Sequence, residues 1–565
     1  MTHAERTPTP IDEIADDWVD TVSELAPTLA TYIGRFEHNS RFGDYSPEGS
    51  ERYAEAARTA LGRLEGAIPV DVVDEVTKAD LARELRLDLE LHEADASLRD
   101  LNVIASPAQD IRSVFDLMPA DSVEDWSVIA ARLGAVPAAI GGYIETLRAG
   151  VDKGVTPARR QVVEVVSQID RYTSENGFFA TFAAEATPAE GQLPASLARE
   201  LADQSGAARV AYDELARFLT AELAPVATEA DAVGRELYAL HSRRFLGATI
   251  DLDETYEWGV EELARMVAEQ ESIANEILPG AGVEEAVAFL EADDTRKLHG
   301  AEALQEWMQV TSDRAVAELG RTHFDIPEPI RRLECMIAPT QEGGIYYTGP
   351  TDDFSRPGRM WWSVPEGVDS FDTWRELTTV YHEGVPGHHL QIAQAVYNRA
   401  QLNSWRRLLA GTSGHAEGWA LYAERLMEQL GYLDDPADRL GMLDGQRMRA
   451  ARVVLDIGVH LQKPRLGASS ALGASGEVPW DHDYALAFMR RNVNMPDAFI
   501  QFEVNRYLGW PGQAPSYKVG QRIWEQIRED DRAVQGSDFS IKDFHKRALG
   551  IGGVGLDTLR ASLRP

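Results

Sequence analysis

Cysteine is nearly absent: Cys335 is the only one in 565 residues. That excludes an intramolecular disulfide and a thiolate zinc cluster. A lone thiol in "RRLECMIAP" reads as a buried packing residue. Long apolar runs are also missing, and no uninterrupted stretch approaches the length of a membrane span. The first residues, "MTHAERTPTPIDEIADDWVD", lack the basic segment and apolar core of a secretory signal. A soluble, cytoplasmic protein without a membrane partner is expected. Basic charge is in short supply, with 55 Lys and Arg against 92 Asp and Glu and a net charge of −37. Such a balance argues against a nucleic-acid partner and is read as solubility.

What the sequence does have is helix. "DEVTKADLARELRLDLELHEADASL", "PASLARELADQSGAARVAYDELARFLTAEL" and "TYEWGVEELARMVAEQESIANEIL" keep apolar residues at helical spacing. Turn residues such as "PGAG" at 279–282 separate them. His38, His92, His241 and His299 are scattered here without partners at useful spacing. The texture changes near residue 325, where Pro, Gly and aromatics gather. Two strand-like runs, "GGIYYT" and "RMWWSV", predict a small β element, a hairpin, before helix returns at "SFDTWRELTTVYHEG". Asp369 or Ser370 is the expected cap of that helix. The predicted fold class is therefore mainly α. Residues 1–324 form a helical N-terminal region, a shell over a cleft, and residues 325–565 carry the chemistry, in one continuous fold.

Five of the thirteen histidines fall between 382 and 460, and "YHEGVPGHHLQ" is the densest group. Two imidazoles on one helix share a metal ion only from the same face, about one turn apart. In an ideal helix His388 sits about 120° off the face of His382, and His389 about 10.5 Å along the axis. Neither suits. Pro386, however, has no N–H for the carbonyl of His382, and Gly387 tolerates unusual backbone angles. A two-residue bulge there brings His388 into place as a second ligand, with His389 the alternative. "SGHAEGWALYAERL" supplies a third candidate, Glu417, with His415 as its rival. Gly418 is expected to let this helix approach the first closely. Glu424, seven residues on, is placed to orient a ligand histidine. The set His382, His388 and Glu417 suits one Zn2+ with an open position, although cobalt or manganese are possible replacements.

"YHEGVPGHHLQ", "EGWALYAE" and "PGQAPSYKVGQ" together resemble the bacterial family catalogued as domain of unknown function 885. Its members are regarded as predicted zinc metallopeptidases with largely helical folds. The resemblance implies a large helical metallopeptidase-like fold with the β element beside the zinc helix. "EGWA" is also similar to the third-ligand segment of glutamate-zincin aminopeptidases, which favours Glu417 by analogy. The Pro-Gly insertion departs from those enzymes.

The expected function is a zinc metallopeptidase that cleaves short peptides. Glu383 is the expected general base. Tyr517, then His460, are the expected donors to the oxyanion. Arg506, Tyr346 and Tyr347 are candidate substrate contacts, the tyrosines along a strand edge able to pair with an extended peptide. Arg449, Arg452 and Asp456 hold His460 or bind a substrate carboxylate. Trp361 and Trp362 are read as core residues under the strands. The alternatives are a zinc amidohydrolase acting on non-peptide amides and a non-catalytic helical metal-binding scaffold.

Overall fold

The computed structural model describes residues 6–189, 191–339, 344–466 and 478–564. The fold is mainly α, with 69% helix and 4% strand, because the apolar periods of the sequence become buried helix faces. In Leu252–Ile277, for example, Leu252, Tyr256, Leu263, Met266 and Ile273 are buried at helical spacing. Asp251 caps its start by accepting from the N–H groups of Asp253 and Glu254. Helices Val72–Glu93 and Ala195–Phe218 fill the other two predicted stretches.

Among the described residues one helix, Val123–Lys153, is long and apolar enough by length and composition to cross a membrane, although Arg132 and Glu145 interrupt its apolar run, as the sequence reading expects. Ile129, Leu133, Val136, Ile140, Tyr143 and Leu147 from this helix are buried in an N-terminal core that they share with Leu201, Tyr212 and Leu215. The largest core runs from Val76 to Leu563 and draws on both sides of residue 325.

The predicted hairpin is present as Ile345–Thr348 antiparallel to Gly358–Trp362; Gly343, the first residue of the predicted run, lies outside the described residues. A further strand, Leu333–Ile337, pairs parallel with Gly358–Trp362, which becomes the centre of the sheet. Its partner lies some 25 residues on, out of reach of local pattern reading. Neither Asp369 nor Ser370 caps the next helix. Ser370–Asp372 is itself a strand, antiparallel to Lys297–His299, so the helix begins only at Thr373, with Asp372 at its cap position. Asp372 is held by Lys297 Nζ at 2.7 Å.

Five helices position the candidate site and are named here by their key residue. They are the His382 helix (Thr373–Glu383), the His388 helix (His388–Tyr397), the Glu417 helix (Ser413–Gln429), the Arg449 helix (Pro436–His460) and the Tyr517 helix (Ser516–Gln535). The Glu417 helix packs along the Tyr517 helix, and the His382 helix contacts both the Arg449 and Glu417 helices.

Candidate metal centre

The sequence predicts a bulge between His382 and His388; the structure has a complete break. The His382 helix ends at Glu383, and a new helix starts at His388. Pro386 cannot donate to the ladder. In its place Gly387 N–H turns back to the carbonyl of Tyr381 at 3.1 Å. A Cβ on Gly387 would lie 1.9 Å from the His382 carbonyl oxygen, so only glycine fits this close return. The buried carbonyl of Pro386, which lies between the two helices, is not left bare, since Trp419 Nε1 donates to it at 2.9 Å. The break brings the two imidazoles together with ring centroids 4.8 Å apart and planes at 89°.

Glu417 completes the arrangement. Its Oε2 lies 3.4 Å from His382 Nε2 and 3.6 Å from His388 Nε2. Ligand atoms about 2.0–2.2 Å from one tetrahedral zinc are separated by about 3.3–3.6 Å. The donor set of two imidazoles and a carboxylate therefore fits the ion. Ligand atoms of His382, Glu383 and His388 also lie within 4.8 Å of one another. His389 points elsewhere: Tyr347 Oη is 2.9 Å from its Nδ1, and Nε2 is 2.7 Å from the carbonyl of Ile330. Both ring nitrogens are thus engaged away from Glu417. His415 is buried against Trp524, with Nδ1 3.3 Å from Gln391 Nε2, and is not part of the group.

Behind the ligands lies a chain of polar contacts. His382 Nδ1 is 2.7 Å from Glu424 Oε1, an arrangement that turns Nε2 toward Glu417. Gln446 Nε2 donates to Glu424 Oε2 at 3.0 Å, and Lys518 Nζ donates to Gln446 Oε1 at 2.9 Å. Burial pulls the Lys518 ammonium down to about 8 despite its ion pair with Glu262. Burial also works against charge on His382, yet Glu417 and Glu424 raise its affinity for a proton to about 10. Burial would raise Glu417, but the two histidines hold it well below the usual carboxylate range. Such a site favours positive charge at its centre. Gly418 does not serve the approach to the His382 helix that the sequence suggested. Its Cβ would lie 2.4 Å from the carbonyl carbon of Gly520, so its small size seats the Glu417 helix against the Tyr517 helix. No local signal links positions a hundred residues apart.

Glu383 is buried and, among the described residues, makes no hydrogen bond or ion pair. Burial raises its carboxyl, while His388, His382 and Arg449 pull the other way. Tyr517 lies close enough for the Glu417 charge to add to burial in raising its phenol, and Arg452 sits over its ring at 5.2 Å.

Several expected roles change. His460 is wholly buried, stacked on Tyr238, with Nε2 3.1 Å from the carbonyl of Tyr507. It is a core residue, because the last turn of its helix is enclosed on every side. Arg506 is occupied by Glu503 at 2.9 and 3.0 Å and by Gln513 at 2.6 Å. Arg452 is likewise bound to Glu503 and the Tyr507 hydroxyl. Asp456 receives Tyr238 Oη at 2.7 Å and Gly512 N–H at 2.9 Å. Tyr347 uses its hydroxyl to hold His389, so it is not free for substrate. Tyr346 is exposed and stacks on half-buried Trp361 at 6.2 Å, whereas Trp362 is buried in the sheet's core with Cys335. The residues that sequence reasoning missed are Gln446, Lys518 and Trp419, polar groups buried where the sequence shows only ordinary helix.

A cavity of about 850 Å3 lies between the N-terminal helices and Leu508–Pro511, lined among others by Tyr53, Asp88, Asp100, Asp110, His241 and Arg244. None of the metal-site residues lines it.

Two solved structures share the fold over nearly all of both chains. A Colwellia psychrerythraea protein described as a lipoprotein has a TM-score of 0.82 and 22% identity, covering 98% of each chain. A Shewanella oneidensis protein described as a lipoprotein of unknown function has a TM-score of 0.75 and 16% identity, over 98% of this chain and 99% of that one. A Pyrococcus furiosus carboxypeptidase, with TM-score 0.41 and 12% identity over 99% and 94% of the two chains, is too distant to inform the reading. No curated protein matches. Residues 27–563 match the bacterial protein family of unknown function DUF885, and the chain belongs to that family.

Proposed function

We propose that this protein is a zinc-dependent peptidase of short peptides, with His382, His388 and Glu417 holding the ion. One observation carries the reading: three donor atoms converge at ligand spacing beside a buried carboxylate, Glu383, that no neighbour among the described residues has claimed. A purely structural zinc site has no use for such a base. When bound, zinc supplies Lewis acidity and makes water easier to deprotonate near neutral pH.

The rest of the chemistry belongs to side chains. Glu383 takes a proton from the attacking water and passes it to the leaving amine. Its burial moves the carboxyl upward, toward the range where a group can both accept and release a proton. Tyr517 donates its hydroxyl to the developing oxyanion. Glu424 fixes the His382 ring throughout. The edge strand Ile345–Thr348, paired on one side only among the named strands, offers main-chain groups to an extended peptide. The helical N-terminal half restricts access, which favours short peptides over folded proteins.

The test uses zinc-reloaded protein, a library of unblocked short peptides and a set of non-peptide amides. The expected result is chelator-sensitive cleavage of peptides, with Glu383→Gln keeping zinc but losing at least ~100-fold in turnover. Cleavage of the amides alone would replace the reading with an amidohydrolase. Zinc binding without any hydrolysis would leave a scaffold.

A further inference from the structure

The Arg449 helix carries a cation beside the site that, among the described residues, no carboxylate neutralises directly. Arg449 lies one turn beyond Gln446, which donates to Glu424 Oε2 at 3.0 Å, on the helix that packs against the His382 helix, and its charge is felt by Glu383, Glu424 and Tyr517. Among the described residues its guanidinium nevertheless makes no hydrogen bond or ion pair, and its buried Nε has no partner. Four other cations of the neighbouring helices are held by protein groups. Arg452 and Arg506 share Glu503. Lys518 is held by Gln446, Gln521 and Glu262, and Arg425 by Glu269 and Glu428. Glycine sets the position of the exception: a Cβ on Gly445 would lie 2.7 Å from Arg449 Nη1. The guanidinium thus folds back over its own helix into space that any larger residue would fill.

A half-buried guanidinium loses hydration without gaining a partner, which is costly unless a ligand supplies the missing anion. Its planar fork matches a carboxylate in two-point contact. We propose that Arg449 binds the C-terminal carboxylate of the substrate, so that the site takes peptides whose free C-terminus lies close to the scissile bond. This rests on the peptidase reading above and adds to it the end of the peptide that is recognised. Arg449 is the specificity-determining group in this arrangement, and Glu383 and Tyr517 act on the bond itself.

The experiment compares zinc-loaded wild-type protein on two matched libraries of di- to tetrapeptides, one with free C-termini and one C-terminally amidated, read by mass spectrometry. The best-cleaved peptide and its amide are then titrated calorimetrically against Glu383→Gln protein, which gives a readout independent of turnover. Free acids should be cleaved and bound better by about 10- to 100-fold, the range of a hydrogen-bonded charge pair. Adding Arg449→Met should bring the acid's affinity down to that of the amide. Arg449→Lys should retain part of the difference, and zinc content and thermal melting serve as checks on folding. Equal cleavage of both libraries would overturn the inference and leave the peptidase reading standing. So would an Arg449→Met variant that slows both libraries alike, the signature of an oxyanion donor, or a preference for amidated peptides with acidic side chains. If neither library is cleaved or bound, both readings fall together.

Discussion

Carboxyl groups around residue 100 and around residue 417 are both crowded by protein, yet they respond in opposite directions. In the N-terminal half, burial raises Glu84 to about 8, Asp100 to about 7 and Asp110 to about 6, with neighbouring carboxylates adding to the first two. Asp100 and Asp110 are exposed to the cavity, and Glu84 is half-buried near Asp88 and Asp80; taking up a proton relieves the lost hydration of each. At the centre, Glu417 is half-buried and Glu424 buried, yet both are lowered, because His382 and, for Glu417, His388 stand against them. Crowding alone does not set a carboxyl's charge. The partner decides: proton affinity is raised in one region and lowered in the other, where histidines stand opposite.

The comparison can be broken from either side. Removing the Tyr517 hydroxyl tests whether the second region is chemically active. Tyr517→Phe should keep zinc and lose on the order of 100-fold in peptide turnover, as other removed oxyanion donors do; unchanged kcat would assign the phenol to packing. Glu424→Gln weakens the support behind His382 while leaving the ligands in place. Zinc affinity, measured by competition with a chromophoric chelator, should drop by about 10- to 100-fold.

The smallest effect belongs to the cavity. Asp100 has a raised folded-state pKa, so the native chain holds more protons than the unfolded one between about pH 4 and 7. Its contribution is most favourable below pH 4 and is lost as pH rises through about 7. Asp100→Asn should therefore melt slightly higher than wild type at pH 8 and equally at pH 4. Asp100 is exposed to the cavity, so solvent screens its charge and keeps the difference below ~1 kcal/mol. A larger advantage at pH 4 than at pH 8 would reverse the assigned direction.

Much of this was legible in the sequence because the signals were local. Helix periodicity identified the long N-terminal helices, and Pro386-Gly387 announced an interruption, read as a bulge and found as a full break, where a regular helix could not unite two histidines. Glu424 was placed by its seven-residue distance from Glu417 on one helix. Contacts between distant segments were not legible. The parallel strand Leu333–Ile337, the seating of Gly418 on Gly520 and the engagement of His389 by Tyr347 and Ile330 all depend on tertiary packing. His460 and Arg506 looked chemical because their residue types are; their partners in the fold, Tyr238, Tyr507, Glu503 and Gln513, made them structural. Arg449 stands out for the opposite reason, since only the full set of contacts reveals a cation left without one.

The central claim is that three particular side chains gather one metal ion, and the neighbouring pair His388 and His389 tests it most directly. Metal content should be measured by mass spectrometry on zinc-reloaded, dialysed wild-type, His388→Ala and His389→Ala proteins of verified fold. The account predicts about one zinc per chain in wild type, near-complete loss in His388→Ala and retention in His389→Ala. Zinc retained in His388→Ala and lost in His389→Ala would contradict it.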